Sequence, residues 1–349
     1  KVEIGQTIVG GDHPTLIIAE IGLNHNGDVG MARELIDKAQ EVGCNYAKLQ
    51  TYEAKDRVSE LAKGAKYADK TLDMEETLHE MFKRVALTRE ETRALFDYAK
   101  EIGMDLISTP FSEGDVDFLM EMEVDALKIA SFDIVNLPFI RYAASKKIPL
   151  IISTGMSGMT EVEEALDAVA KERNPNVILL HCISSYPTSP IDVNLRAVET
   201  LKNAFKVPVG YSDHTIGTLV PTIAMSTGSN VLEKHFTLNT HFEGSDHILS
   251  ATPTQMREIV ENRNTIFTAL GSGIKKPRPI EYIQVNQQRK SIFLSKDVSA
   301  GDILELGNIT IKGPGHGILP KYLNLVLGKR VLKDIPADHP LSWEDLLSS

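Results

Sequence analysis

The sequence predicts an α/β protein: a (β/α)8 barrel followed by a small β-rich module. Three observations carry this. Eight short β-rich runs alternate with helix-like stretches between residues 16 and 237. Polar residues gather at the C-terminal ends of those runs, where a barrel builds its site. No Gly-x-Gly-x-x-Gly follows the first run, which weakens the case for an open dinucleotide-binding sheet.

The runs are 16–22 (LIIAEIG), 46–51 (YAKLQT), 105–110 (DLISTP), 126–131 (ALKIAS), 149–155 (PLIISTG), 177–182 (VILLHC), 208–214 (PVGYSDH) and 231–237 (VLEKHFT). Most start as near-continuous apolar stretches, as strands buried on both faces do. Between them, 29–42 carries Met31, Leu35, Ile36 and Ala39 at helical spacing. Thr88 with Glu91 three residues later reads as a capping box opening a helix to 102, and Thr160 with Glu163 reads as another, opening 160–170. Segment 52–83 is charged and longer than one helix needs, so it is expected to loop over the barrel mouth. After Gly273 the pattern changes, and Lys275-Lys276-Pro277-Arg278-Pro279 reads as a linker. The expected division is a barrel over 1–274, a linker over 275–288 and a module over 289–349. In the module, 289–294 and 309–312 read as strands, 297–302 as a turn and 313–317 (GPGHG) as a loop; 325–332 and 336–340 complete it. So small a module buries little core alone, so docking on another surface is expected.

A chain of 349 residues suits a barrel of roughly 250 residues plus such a module. A net charge of -11, from 37 basic and 48 acidic residues, argues against nucleic acid as a partner. It leaves room for an anionic small substrate held by a few lysines. No apolar run approaches the ~20 residues of a membrane helix, so no membrane partner is expected. A leader ahead of Lys1, which is not a methionine, would not be seen in this sequence. Cys44 and Cys182 give no disulfide framework, and Cys182 reads as a buried thiol, which suits a reducing cytoplasm.

The strand ends offer Glu20 and Asn24, then Lys48 and Gln50, which share a face because they are two residues apart. Ser108 and Thr109, Lys128 and Ser131, and Ser153 and Thr154 follow. Ser212, Asp213 and His214, then Glu233, Lys234 and His235, close the set. Strand interiors normally exclude lysine. Lys48 and Lys128 either snorkel outward or point into the mouth and bind an anion. Two lysines ringed by the hydroxyls of Thr109, Ser131 and Ser153 would suit a phosphate beside a carboxylate. His214 and His235, on neighbouring strands, read either as hydrogen-bonded core histidines or as ligands of Mn2+, Fe2+, Co2+ or Zn2+. His181 reads as structural. His241, Glu243, Asp246 and His247 lie in the next loop. There Asp246 would approach a metal through water or take a substrate hydroxyl, unless the loop is merely solvated.

These residues fall in motifs. Residues 18–27 (IAEIGLNHNG), 48–51 (KLQT), 108–111 (STPF), 128–131 (KIAS), 153–156 (STGM), 210–215 (GYSDHT) and 233–237 (EKHFT), with Tyr186-Pro187, resemble the N-acetylneuraminate (sialic acid) synthase family. The resemblance covers nearly the whole chain, and the C-terminal module resembles the family's antifreeze-like (SAF) domain.

The resemblance implies an enzyme, a transferase that condenses phosphoenolpyruvate with an open-chain hexosamine aldehyde, usually N-acetylmannosamine. The product is a 3-deoxy-2-keto nonulosonic acid, and phosphate leaves with its bridging oxygen. It implies that Lys48, Gln50, Thr109, Lys128, Ser131, Ser153 and Ser212 bind phosphoenolpyruvate. By the same resemblance His214 and His235 hold a divalent metal, Mn2+ first with Mg2+ or Co2+ as alternatives. Glu20 acts on the sugar or on water, and Tyr186 and Asp246 contact the sugar. A cytoplasmic, domain-swapped homodimer is implied, the small module capping the neighbour's barrel.

One departure bears on the acceptor. The family commonly reads Lys-Arg-Pro-Gly-x-Gly where this chain has Lys312-Gly313-Pro314-Gly315-His316-Gly317. Gly313 removes an arginine contact to the N-acetyl group, for which Lys312 or His316 would have to compensate. Synthases of legionaminate, pseudaminate or the deaminated sugar acid from mannose are the rivals within the class. Outside it stand a non-catalytic carbohydrate-binding barrel and an aldolase with Lys128 or Lys234 as Schiff-base lysine.

Overall fold

The computed structural model describes residues 1–60 and 77–346. Two compact units divide at Gly271 and Ser272. Among the described residues of the first, eight parallel strands close into a barrel, in the order β10-β3-β4-β5-β6-β7-β8-β9. They are β3 (Leu16–Glu20), β4 (Tyr46–Thr51), β5 (Asp105–Pro110), β6 (Leu127–Ile129), β7 (Leu150–Ser153), β8 (Val177–Cys182), β9 (Val209–Asp213) and β10 (Val231–His235). All eight expected runs are strands. Several are shorter than expected, because their last residues turn into the loops that form the mouth.

A hairpin of β1 (Val2–Ile4) and β2 (Thr7–Val9) precedes the barrel. The hairpin was not expected, since three-residue strands show no usable period. Val2, Ile4 and Val9 pack with Leu16, Ile18, Tyr46, Ile107, Ile151, Ile178 and Val231, filling the N-terminal end of the barrel interior. Fully burying side chains such as Ile4 and Val9 contributes about 1.5–3 kcal/mol each.

The helices of the first unit are α1 (Val29–Glu41), α2 (Ala54–Arg57), α3 (Leu78–Val85), α4 (Arg89–Ile102), α5 (Glu113–Glu121), α6 (Leu137–Ser145), α7 (Met159–Lys171), α8 (Arg196–Phe205), α9 (Leu219–Ser226) and α10 (Pro253–Leu270). Their apolar stripes cover the barrel; Ala32, Leu35, Ile36 and Ala39 do so from α1. Helix α4 opens with the expected Thr88–Glu91 capping box. Helix α7 starts earlier than expected: Gly158 is its cap, and its N–H donates to Glu161 Oε2 at 2.9 Å. Thr160 and Glu163 lie inside the first turns, so the pattern there was out of register by two residues. The charged segment after β4 holds α2 and α3, while residues 61–76 of that predicted loop lie outside the described residues.

The second unit begins with a 3-10 turn, Pro279–Glu281, and helix α11 (Tyr282–Gln288), in the stretch read as linker. Strands β11 (Ser291–Leu294) and β12 (Ile309–Lys312) pair antiparallel. Leu323–Val326 forms α12, and residues near 331 and 335 make isolated β-bridges. Ile292, Leu294, Leu304, Val326, Val331 and Leu341 build a separate core.

Candidate active site

Parallel strands present alternate residues to the barrel interior. Glu20, Lys48, Lys128, Ser212 and Glu233 all turn inward and meet at the C-terminal end. Lys48 and Lys128 are each only 3% exposed, which removes the reading in which they snorkel outward. Lys48 Nζ lies 2.6 Å from Glu20 Oε2, donates to Thr109 Oγ1 at 2.9 Å, and stands 3.8 Å from Glu233 Oε2. Lys128 Nζ stands 3.8 Å from Glu233 Oε1, which also accepts from Ser212 Oγ at 2.9 Å. The result is an alternating chain, Glu20–Lys48–Glu233–Lys128, across the floor of the mouth.

Burial raises Glu20, against the pull of Lys48 and with the Glu233 charge adding to the push. Burial alone would raise Glu233 as well, but Lys128, Lys48 and the Ser212 bond hold it down at about 2. The two buried carboxyls are thus pushed in opposite directions, Glu20 up and Glu233 down. Burial lowers Lys128, so its ammonium depends on Glu233.

Gln50 Nε2 donates to Glu20 Oε1 at 2.8 Å. Gly22, at φ 53°, sits beside this pair, and a Cβ there would come within 2.8 Å of Glu20 Oε1. Ser131 Oγ accepts from the Gly155 N–H at 3.0 Å, and Ser153 Oγ is buried with no hydrogen-bond partner. Thr154 faces away and donates to Leu180 O at 3.0 Å; Ser108 likewise pairs with Thr51 behind the strands.

His214 and His235 face each other with ring centroids 5.3 Å apart. His214 Nδ1 bonds Ile183 O at 2.8 Å, which leaves Nε2 free to coordinate. Burial keeps His235 neutral by lowering its pKa, against the pull of Asp246. Its Nδ1 lies 3.5 Å from Asp246 Oδ2 and makes no hydrogen bond, and Asp246 Oδ1 is buried and unpartnered too. Tyr186 packs against His214 at 4.1 Å between ring centroids. Two facing imidazoles beside orphaned polar atoms fit a divalent cation. Among the described residues no group of three or more His, Cys, Asp and Glu side chains is arranged to hold one, so such an ion would need substrate or water to complete its shell.

Of the expected substrate-binding residues, Lys48, Gln50, Thr109, Lys128 and Ser212 are linked through Glu20 and Glu233, Tyr186 and Asp246 lie against His214 and His235, and Ser131 and Ser153 stand at neighbouring strand ends. His181 is structural: Nε2 bonds Val193 O at 2.7 Å and the ring stacks on Tyr211. The loop after β10 is only partly solvated. Asp246 and His247 are buried, and His247 bonds Thr237 Oγ1 at 2.7 Å, while His241 and Glu243 are exposed. Lys234 faces outward, paired with Asp213 at 2.6 Å and fully buried, so it cannot serve as a Schiff-base lysine at the mouth.

Glu233 was named at its strand end without a role, although alternation puts it on one face with His235. Two residues escaped the sequence reading. Asp133, on the 3-10 turn Ser131–Asp133, keeps Oδ2 buried and unpartnered, and burial pushes its carboxyl up to about 6. Arg57 on α2 donates to Gln50 Oε1 at 2.8 Å while its guanidinium lies over Phe82, Phe111 and Tyr52 at 3.7, 4.3 and 4.5 Å. Nothing in the sequence brings those rings together.

A closed (β/α)8 barrel with buried lysines, carboxyls and a histidine pair at its C-terminal mouth defines a barrel enzyme. The NeuB family profile matches residues 35–275 and that of the SAF domain residues 289–347. The chain belongs to the NeuB family. It is 40% identical to N,N'-diacetyllegionaminic acid synthase of Legionella pneumophila over 95% of this chain and 94% of that one. It is 34% identical to human N-acetylneuraminate-9-phosphate synthase over 96% of this chain and 94% of that one. The crystal structure of N-acetylneuraminic acid synthetase from Leptospira borgpetersenii, in complex with citrate, superposes with a TM-score of 0.74 at 33% identity. That match covers 81% of this chain and 94% of the other.

Proposed function

We propose that this chain condenses phosphoenolpyruvate with an open-chain acetamido-hexose aldehyde to a 3-deoxy-2-keto nonulosonic acid and phosphate. The observation that carries the reading is the Glu20–Lys48–Glu233–Lys128 chain facing His214 and His235 across one mouth. Lys48 and Lys128, with Thr109, Ser131, Ser153 and Ser212, hold the phosphate and carboxylate of phosphoenolpyruvate. An incoming dianion takes over the lysines from the carboxyls that neutralise them in the free protein.

A divalent cation held by His214 and His235, Mn2+ foremost, supplies a Lewis acid for the aldehyde oxygen when bound. The enol carbon C3 adds to the aldehyde carbon, forming the new C–C bond. Water adds to C2, the C2–O bond to phosphate breaks, and phosphate leaves with the bridging oxygen. Glu20, whose carboxyl is raised by burial, gives and takes back the proton these steps move. Gln50 fixes its orientation. Tyr186 and Asp246 contact the sugar. The same reading places the chain in the cytoplasm as a homodimer, and the free thiols of Cys44 and Cys182 fit a reducing compartment.

Gly313, together with the 40% identity to a legionaminic acid synthase, favours a diacetamido-sugar over N-acetylmannosamine as acceptor. The test is phosphate release from phosphoenolpyruvate with N-acetylmannosamine, a 2,4-diacetamido-hexose and mannose, each with and without EDTA. Release that needs one acetamido-sugar and stops with EDTA is the expected result. No release with any acceptor would overturn the reading.

A further inference from the structure

The outward faces of β9 and β10 carry a charge pair that the chemistry above does not use. Lys234 and Asp213 are register partners, and neither side chain is exposed to solvent at all. They lie in the apolar layer between barrel and helices, where Leu232 and Phe236 flank Lys234 on the same face. A buried ion pair is poorly explained by stability, because apolar side chains of the same size generally serve as well.

Its bonds converge on the residues bearing the two histidines. Asp213 precedes His214 and Lys234 precedes His235. Asp213 Oδ1 accepts from Thr215 N at 3.0 Å, and Lys234 Nζ donates to Thr215 O at 2.7 Å. Asp213 Oδ2 accepts from the same ammonium at 2.6 Å. His214 lies one residue beyond the end of β9, where the strand ladder has stopped. The pair replaces the ladder there, clamping the chain on both sides of His214 to the strand that carries His235. On the inner side, Thr188 N donates to His214 O at 2.9 Å, so that bond reports whether the clamp holds.

We propose that the Asp213–Lys234 pair is a positioning device that fixes His214 relative to His235 from behind the barrel wall. It rests on the reading of those histidines as cation ligands. A register error of a fraction of an ångström at a ligand weakens binding even when the fold is intact.

The test is the double variant Asp213→Leu with Lys234→Met, which removes both charges and keeps the volumes similar. Three measurements are made on the full chain. The melting temperature is expected within about 5 °C of the parent. Calorimetric titration of the metal-stripped protein with Mn2+ is expected to show affinity roughly 10–100-fold weaker. Hydrogen–deuterium exchange is expected to show faster exchange at the Thr188 amide. A stable double variant with parental Mn2+ affinity and parental Thr188 exchange overturns the proposal. Should that variant not fold, Asp213→Asn, which keeps the acceptor for Thr215 N, is read in the same way. If neither folds, the pair is a stability element and the proposal fails. A parent that binds no Mn2+, with faster Thr188 exchange in the variant, sinks the cation reading while the positioning role stands.

Discussion

Lys48 is the side chain on which the mouth depends most. It touches Glu20 and Thr109 and stands within 3.8 Å of Glu233. Replacing it with methionine keeps the stem and removes the ammonium. Glu20 and Glu233 would then lose their shared counter-charge, and phosphoenolpyruvate would lose one of its two cations. Lys48→Met should therefore lower kcat/KM for phosphoenolpyruvate by at least about a hundredfold. Steady-state kinetics at saturating acceptor checks this, and a variant within a few-fold of the parent would contradict it. That Lys48 shares its face with Gln50 follows from strand alternation. Its partners do not, because Glu233 comes from the strand two places round the barrel, next to β3.

The short helix α2 carries an arrangement that no local pattern reveals. Its Arg57 sits on a box of three aromatic rings and reaches Gln50, which in turn orients Glu20. A cation over aromatic faces contributes about 0.5–2 kcal/mol, enough to fix a four-residue helix over the rim. Arg57→Ala should leave the barrel folded, lower kcat roughly tenfold and change KM for phosphoenolpyruvate little. A kcat equal to the parent's would show that Gln50 holds Glu20 without help. The start of α7 teaches a complementary lesson. Both Glu161 and Glu163 fit a capping pattern by spacing, and the backbone at Gly158 selects the first.

Stability as a function of pH belongs to the molecule as a whole, and two buried histidines set one limb of it. His25 and His247 are each lowered to about 4, chiefly by burial. Unfolded histidine titrates near 6.5, so the folded chain binds fewer protons between these values. The stability they contribute is present above about 6.5 and is lost as pH falls towards about 4, roughly 3 kcal/mol for each at the limit. The melting temperature should fall across that window, and His25→Gln should flatten the fall. A melting temperature constant from pH 6.5 to 4 would contradict the assignment.

The barrel was legible because its signals are local. Eight apolar runs, the Thr88–Glu91 box and the change of pattern after Gly273 each involve residues close together in the chain. That Lys48 shares a face with Gln50 was legible for the same reason, since alternation along one strand decides which residues share a face, but whether Lys48 and Lys128 point inward was left open until the closed barrel buried them. Pairing across strands was not legible. That Glu233 neutralises both lysines, that Lys234 turns its charge outward onto Asp213, and that the β1–β2 hairpin plugs the barrel all depend on register. Closure of the barrel sets that register, by bringing β10 beside β3 across the whole length of the unit.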